Sequence, residues 1–307
     1  SIGVAPLPAL AAHPLPPEGD GDAPLQALAP PAPLPRGWWI GSFSALVQDA
    51  EAAPDVVDAD RPLQPRAGAD HDALADAAGP APADDSPPAA LPADDICRFP
   101  RGAQAGTCLH AAFELADFSD AASWPGAVGQ ALQRHGPLPG ADGQPVDTML
   151  HHVLADVLAT PLPVGTTTPL RLGTLGQHQR LVELEFHLPA PQLSAGALGR
   201  TLAAHGYAAP RLGFGQLQGF LKGFIDLVVQ HEGRWFIADW KSNHLGDSPA
   251  DYTTPRLQQA MTAHHYHLQS LLYSVALQRW LQQRLPGYQH AQHFGGALYL
   301  FVRGLRP

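Results

Sequence analysis

The chain of 307 residues is long enough for one large or two modest domains, and at 45% hydrophobic residues it can fill a core. Its net charge of −10 argues at first against a polyanion-binding protein, but residues 1–95 hold 15 acidic and 3 basic residues (net −12), whereas the other 212 carry 13 and 15 (net +2). No run approaches the ~18–20 apolar residues of a membrane span, and two cysteines, Cys97 and Cys108, exclude a disulfide framework and suit a reducing cytoplasm.

Residues 1 to about 35 are built from Pro, Ala and Leu and read as an extended linker. The opening "SIGVAPLPAL" has no basic stretch before its apolar residues, so no secretory signal is expected, and the missing initiator Met suggests a fragment. "WWIGSFSAL" interrupts with a candidate strand, after which Ser42 or Ser44 is placed to start a helix. Asp, Ala and Pro then dominate residues 49–95, the composition of a mobile acidic loop.

"RFPRGAQAGTCLHAAFELADF" opens the ordered part. Thr107 is expected to cap a helix with Leu109, Ala112, Phe113 and Ala116 on one face and His110, Glu114 and Asp117 on another. Cys108 reads as a core thiol, and a lone helical histidine such as His110 is ordinarily structural or solvated. "VDTMLHHVLADVLAT" has helical periodicity; His151 and His152 are adjacent, hence not on one face, and no H-E-x-x-H zinc motif occurs. "RLVELEFHLPA" alternates as a strand, with Glu183 and Glu185 on one side and Leu184 and Phe186 on the other.

"GFIDLVVQHEGRWFIADWKSN" reads as a β-hairpin. A two-residue turn at Glu232 and Gly233 pairs His231 with Arg234, sets Val228 opposite Ile237 and Lys241 opposite Phe224, and brings Asp226 opposite Asp239. Asp226, Asp239 and Lys241 then share a face. Like charges opposed at about 5 Å are unfavourable, so a hard divalent cation with oxygen ligands, Mg²⁺ before Zn²⁺, is expected between the carboxylates. The Trp240 carbonyl is a candidate further ligand, and Lys241 is placed to orient water or stabilise developing negative charge. The competing reading is a surface hairpin whose charges face solvent. "RLQQAMTAHHYHLQSLLYSVALQRWLQQRL" reads as one long amphipathic helix packing Leu268, Leu271, Leu272 and Val275, with Gln269 and Tyr273 one turn apart. "GGALYLFVRG" reads as a buried strand.

The order Asp226, twelve residues, Asp239, any residue, Lys241 resembles the D…D-x-K signature of the PD-(D/E)xK nucleases. "LQGFLKGFIDLV", "ADWKSNHLG" and "HFGGALYLFVRG" resemble the RecB-type nuclease domains of bacterial RecBCD helicase-nucleases (exodeoxyribonuclease V). The resemblance runs from about residue 38 to the chain end. It implies an α/β, restriction-endonuclease-like fold with a mixed central sheet flanked by helices. Residues 96–307 form the nuclease domain in this reading, expected to be truncated at its C-terminal end, and 1–95 a largely irregular linker. It also implies Mg²⁺-dependent hydrolysis of DNA in break repair and recombination. Site roles follow in the same way. His110 of Gly106-Thr107-x-x-His110 becomes a metal ligand with Asp226 and Asp239, and Glu114 orients its imidazole. Glu185 becomes the functional glutamate before Phe186. Gln269 contacts the metal water or a phosphate, and Tyr273 the nucleic-acid backbone. The implied partners are DNA, RecC-like and RecD-like subunits, a separate helicase portion and RecA, with no membrane. No P-loop is present, so the chain is not itself the motor, and two cysteines are too few for the iron–sulfur staple of AddAB-type nucleases. A degenerate, non-cutting DNA- or partner-binding module would have lost part of the triplet, and a zinc hydrolase would need a histidine spacing that the 16 histidines lack.

Overall fold

In a computed structural model of the chain the described residues are 38–42, 46, 91–141, 143–208, 212 and 214–307, all within one unit, Gly37–Pro307. Most of the expected linker, and Ser44 with it, lies outside them. The fold is of the expected α/β class: a five-stranded mixed sheet flanked by helices.

Its axis is the long strand β3 (Gln216–His231). Antiparallel β2 (Arg180–Ser194) occupies one edge of β3 from Val229 to Gln216. The other edge is therefore shared. Antiparallel β4 (Arg234–Lys241) takes Leu227–His231, and parallel β1 (Trp38–Gly41) takes Gln218–Leu221. Between them Lys222–Asp226 pairs with no strand on that edge among the described residues, so the sheet forks there. β5 (Phe294–Phe301) lies parallel to β4 on its far side. β1 precedes the expected boundary at residue 96, so the sheet recruits a strand from the front segment.

Strands bury alternate residues on opposite faces. Phe236, Ala238 and Trp240 thus meet α1 (Ala103–Leu115), α2 (Trp124–His135) and α3 (Val146–Ala159), which bring Leu109, Phe113, Val128 and Leu154 into that layer. α4 (Ala195–Ala204) follows β2 and is capped by the Ser194 hydroxyl. On the opposite face Ile225, Val228 and Ile237 meet Leu277 and Leu281. The segment carrying those leucines is two helices rather than one, α5 (Thr254–Ala263) and α6 (Tyr266–Arg284), broken where His265 takes a left-handed φ of 55°. Each part serves a different cluster: Ala260 packs with Phe301, whereas Leu277 faces the sheet, and one straight helix axis could not serve both. Leu268 is buried as expected and Leu272 and Val275 are partly so, but Leu271 is exposed. A short α7 (His290–His293) leads into β5. Thr107 does not cap α1. The helix begins four residues earlier, after Gly102 at φ 99°, and the Thr107 hydroxyl donates to the Ala103 carbonyl (2.9 Å). No helix among the described residues is long and apolar enough to cross a membrane.

The fully enclosed guanidinium of Arg303 ties the exit of β4 to the start of the helical layer, donating to the carbonyls of Ser242 (2.8 Å), Ile96 (3.1 Å), Phe99 (2.8 Å) and Pro100 (2.8 Å). Arg303→Met leaves those buried acceptors without their donor. It is expected to lower the unfolding free energy by about 3–5 kcal/mol in denaturant titrations. A loss below ~1 kcal/mol would show that the cluster is solvated rather than structural.

Candidate active site

The hairpin turn is the two-residue one expected, with pairing from His231–Arg234 through Val228–Ile237 to Leu227–Ala238. Glu232 (φ 46°) and Gly233 (φ 77°) both adopt left-handed backbone, the type I′ geometry that suits strand twist. Glutamate tolerates it because its carboxylate accepts from the Thr167 and Thr168 amides (2.8 and 2.9 Å) and the Thr168 hydroxyl (2.7 Å). These bonds hold its pKa down at about 2.

Pairing stops one step before Asp226 and Asp239, so the two aspartates are not a cross-strand pair, and Lys241 does not face Phe224. Instead the Asp226 carboxylate substitutes for a backbone acceptor, taking the Trp240 N–H at 2.8 Å. The N–H and carbonyl of one strand residue point to the same edge. The Trp240 carbonyl therefore faces the fork beside Asp226, while the neighbouring Lys241 carbonyl faces β5 and accepts from Val302 (3.1 Å).

The fork also marks a change of phase. Ile225 and Val228 face the α6 side together, as do Leu181 and Leu184, although residues three apart on a regular strand face opposite ways. The two strands slip phase at opposed positions, Asp226 in β3 and Glu183 in β2, where Glu183 has a φ of 51° and drops out of the pairing. The slip turns Glu183 into the site. Burial, then the charges of Glu114 and Asp239, push its pKa up, while His110 opposes them. Glu185, the expected member, is not brought in. It pairs with Phe224 in the ladder, its side chain is 45% exposed, and it binds Lys222 at 2.8 Å. The strand pattern treats the two glutamates alike, so nothing in the sequence singles out Glu183.

α1 delivers His110. Three residues on, Phe113 stacks on Trp240 (4.3 Å, 18°), worth about 0.5–1.5 kcal/mol beyond burial, and this fixes the helix over β4. His110 Nδ1 then lies 3.6 Å from Asp226 Oδ2. Burial raises the Asp226 pKa to about 6; His110 and Lys241 oppose that rise and Glu183 adds to it. On β4, Lys241 Nζ lies 2.6 Å from Asp239 Oδ2, and both side chains are almost fully buried. Lys241 also donates to Gln269 Oε1 (3.2 Å), whose amide donates to the Tyr273 hydroxyl (3.2 Å). Tyr273 is itself buried. Its ring meets Phe186 edge-on (5.6 Å), and Phe186 lies over Gly223, where any Cβ would collide with it.

The triplet, His110, Gln269 and Tyr273 thus converge at the fork with Glu183, while Glu185 stays apart. As the side chains stand, no three His, Cys, Asp or Glu groups among the described residues form a closed ligand set. The donor chemistry nevertheless fits a hard divalent cation. Asp226 and Glu183, both raised by burial and by neighbouring carboxylates, are groups whose ionised forms a cation would relieve.

A family profile for the PD-(D/E)XK nuclease superfamily matches residues 91–306. The RecBCD enzyme subunit RecB of Escherichia coli (strain K12) is 41% identical over 212 residues, 68% of this chain and 17% of that protein. RecB of Haemophilus influenzae is 36% identical over 215 residues (69% and 17%), and RecB of Mycobacterium tuberculosis (H37Rv) 36% over 301 residues (87% and 26%). The chain therefore spans 17–26% of the length of these relatives.

Proposed function

The chain belongs to the PD-(D/E)XK nuclease superfamily, and from that premise we propose that it is the Mg²⁺-dependent DNA-hydrolysing domain of a RecBCD-type helicase-nuclease. In this reading it cuts phosphodiester bonds in the cytoplasm during break repair and recombination. Its partners are RecC-like and RecD-like subunits, a helicase portion of the same full-length chain, and RecA downstream. The observation that carries the reading is the meeting of the Asp226 and Asp239 carboxylates and the Lys241 ammonium where β3 leaves β4.

Asp226, Asp239, the His110 imidazole and the Trp240 carbonyl would hold the cation. When bound, it supplies Lewis-acid polarisation of the phosphodiester. Lys241 presents positive charge for the anion that develops on the phosphate oxygens, in a site dry enough to strengthen that attraction. Gln269, fixed by Tyr273, orients the ammonium. With both side chains of the Gln269–Tyr273 arm buried among protein, that arm acts on Lys241 rather than on the nucleic-acid backbone directly.

A supercoiled-plasmid assay tests the reading. Nicking or degradation is expected with Mg²⁺, none with EDTA and little with Ca²⁺, whose looser coordination positions water poorly. Glu183→Gln should slow cleavage at least ~10-fold by removing a carboxylate from the charged cluster, and Glu185→Gln should leave it within about twofold. Metal-independent cleavage, or the reverse order of the two glutamates, counts against this assignment.

A further inference from the structure

Lys241 lies against aromatic rings as well as against Asp239. Its Nζ sits 3.9 Å from the centroid of Tyr266 and 5.3 Å from that of Tyr299. The two rings lie 5.6 Å apart at 25°. Tyr299 is the β5 partner of Asp239, so the second wall is built by the parallel pairing itself. Tyr266 is fixed on three sides. Its hydroxyl donates to Asn243 Oδ1 (3.1 Å), His264 stacks on its ring (5.1 Å, 16°), and it is the first residue of α6, held in place by the left-handed His265. The break between α5 and α6 thus acquires a role, since it delivers this ring to the lysine.

Asp239 has two claims on it. In the proposed function it would also help hold the divalent cation, and its carboxylate would then neutralise Lys241 less while the ammonium must hold its place. A carboxylate can be drawn to the metal; the π face of a buried ring cannot, yet it still attracts an ammonium. We propose that Tyr266, with Tyr299 as a second wall, is a positioning residue that keeps the Lys241 ammonium in place by cation–π attraction when Asp239 is engaged by the cation. This rests on the hydrolytic reading of the site. It adds a residue outside the Asp–Asp–Lys triplet and the Gln–Tyr helix pair.

The chain contains only two lysines, Lys222 and Lys241, so ε-¹³C-lysine labelling of the full chain gives two side-chain NMR signals, and Lys222→Arg leaves that of Lys241 alone. The Lys241 ε-protons are expected upfield of free lysine through ring currents. They should stay upfield when Mg²⁺ is added and move toward the free value in Tyr266→Leu. A second measurement places phenylalanine and then mono-, di- and trifluorophenylalanine at position 266, near-isosteres that progressively weaken the ring's attraction for a cation. The DNA-cleavage kcat should fall stepwise, by roughly 10-fold over the series, with KM and Tm unchanged. An unshifted Lys241 signal in the parent, its release on adding Mg²⁺, or a flat fluorination series in a chain that cleaves DNA overturns the proposal. If the parent does not cleave DNA with Mg²⁺, it is the proposed function that fails, and the NMR shifts alone then decide whether the rings hold the lysine.

Discussion

Lys241→Gln is expected to cut Mg²⁺-dependent DNA cleavage by about 10²–10³-fold, the usual loss when one pre-positioned donor is removed from a developing anion. Mg²⁺ affinity should stay level or tighten. The reason is the 2.6 Å contact between Lys241 Nζ and Asp239 Oδ2: without metal the ammonium is the cation that neutralises this buried carboxylate, so it competes with the ion for Asp239. Removing it leaves Asp239 buried beside a neutral amide. The metal-free variant should therefore lose about 3–5 kcal/mol of stability, and Mg²⁺ should restore a larger share of it than it adds to the parent. Plasmid cleavage, calorimetric Mg²⁺ titration and thermal melts with and without Mg²⁺ separate these effects. Normal cleavage by the variant returns Lys241 to a structural charge. A parallel loss of Mg²⁺ affinity and cleavage shows instead that the lysine builds the metal site rather than acting on the phosphate.

What the sequence made legible is the part of the site fixed by local rules. A two-residue turn and strand alternation are enough to place the hairpin register as far as Leu227–Ala238, and the helix at Val146–Ala159 follows from its apolar spacing. The rest depends on contacts that alternation does not encode. Glutamate seldom adopts left-handed backbone, yet Glu183 and Glu232 both do, the latter held by the amides of a distant loop. The phase slip at Glu183 exchanges one glutamate for another two residues away, and a period-two pattern carries no mark of it. Asp226 likewise leaves the ladder because its side chain captures the Trp240 amide, a bond between positions 14 apart that ends the strand pairing it was expected to continue. The helix break at His265 is hidden for a similar reason: the two halves satisfy different clusters, and helix formers fill both.

Asp226→Asn separates function from stability through the pH dependence of both. In the folded, metal-free protein burial raises the Asp226 pKa from 3.8 to about 6, so the folded state resists an ionisation that the unfolded chain accepts. The favourable balance is fully present below pH 3.8 and is lost as pH rises through about 6; above that the cost is constant, on the order of 1–3 kcal/mol. Asparagine carries no such cost, and its carbonyl oxygen can still accept the Trp240 N–H. The variant in EDTA should therefore match the parent near pH 4 and be equally or more stable at pH 7. Mg²⁺ reverses the order. Above pH 6 the ionised parent gains stability by binding the ion in its folded state alone, about 2.7 kcal/mol at a hundred times Kd, and the variant gains little and does not cleave DNA. Melts of both proteins across this pH range, with and without Mg²⁺, should thus cross. If Asp226→Asn instead costs more than about 1–2 kcal/mol in EDTA at pH 7, the carboxylate was stabilising the fork as a charged acceptor, and the cation site has been placed on the wrong residue.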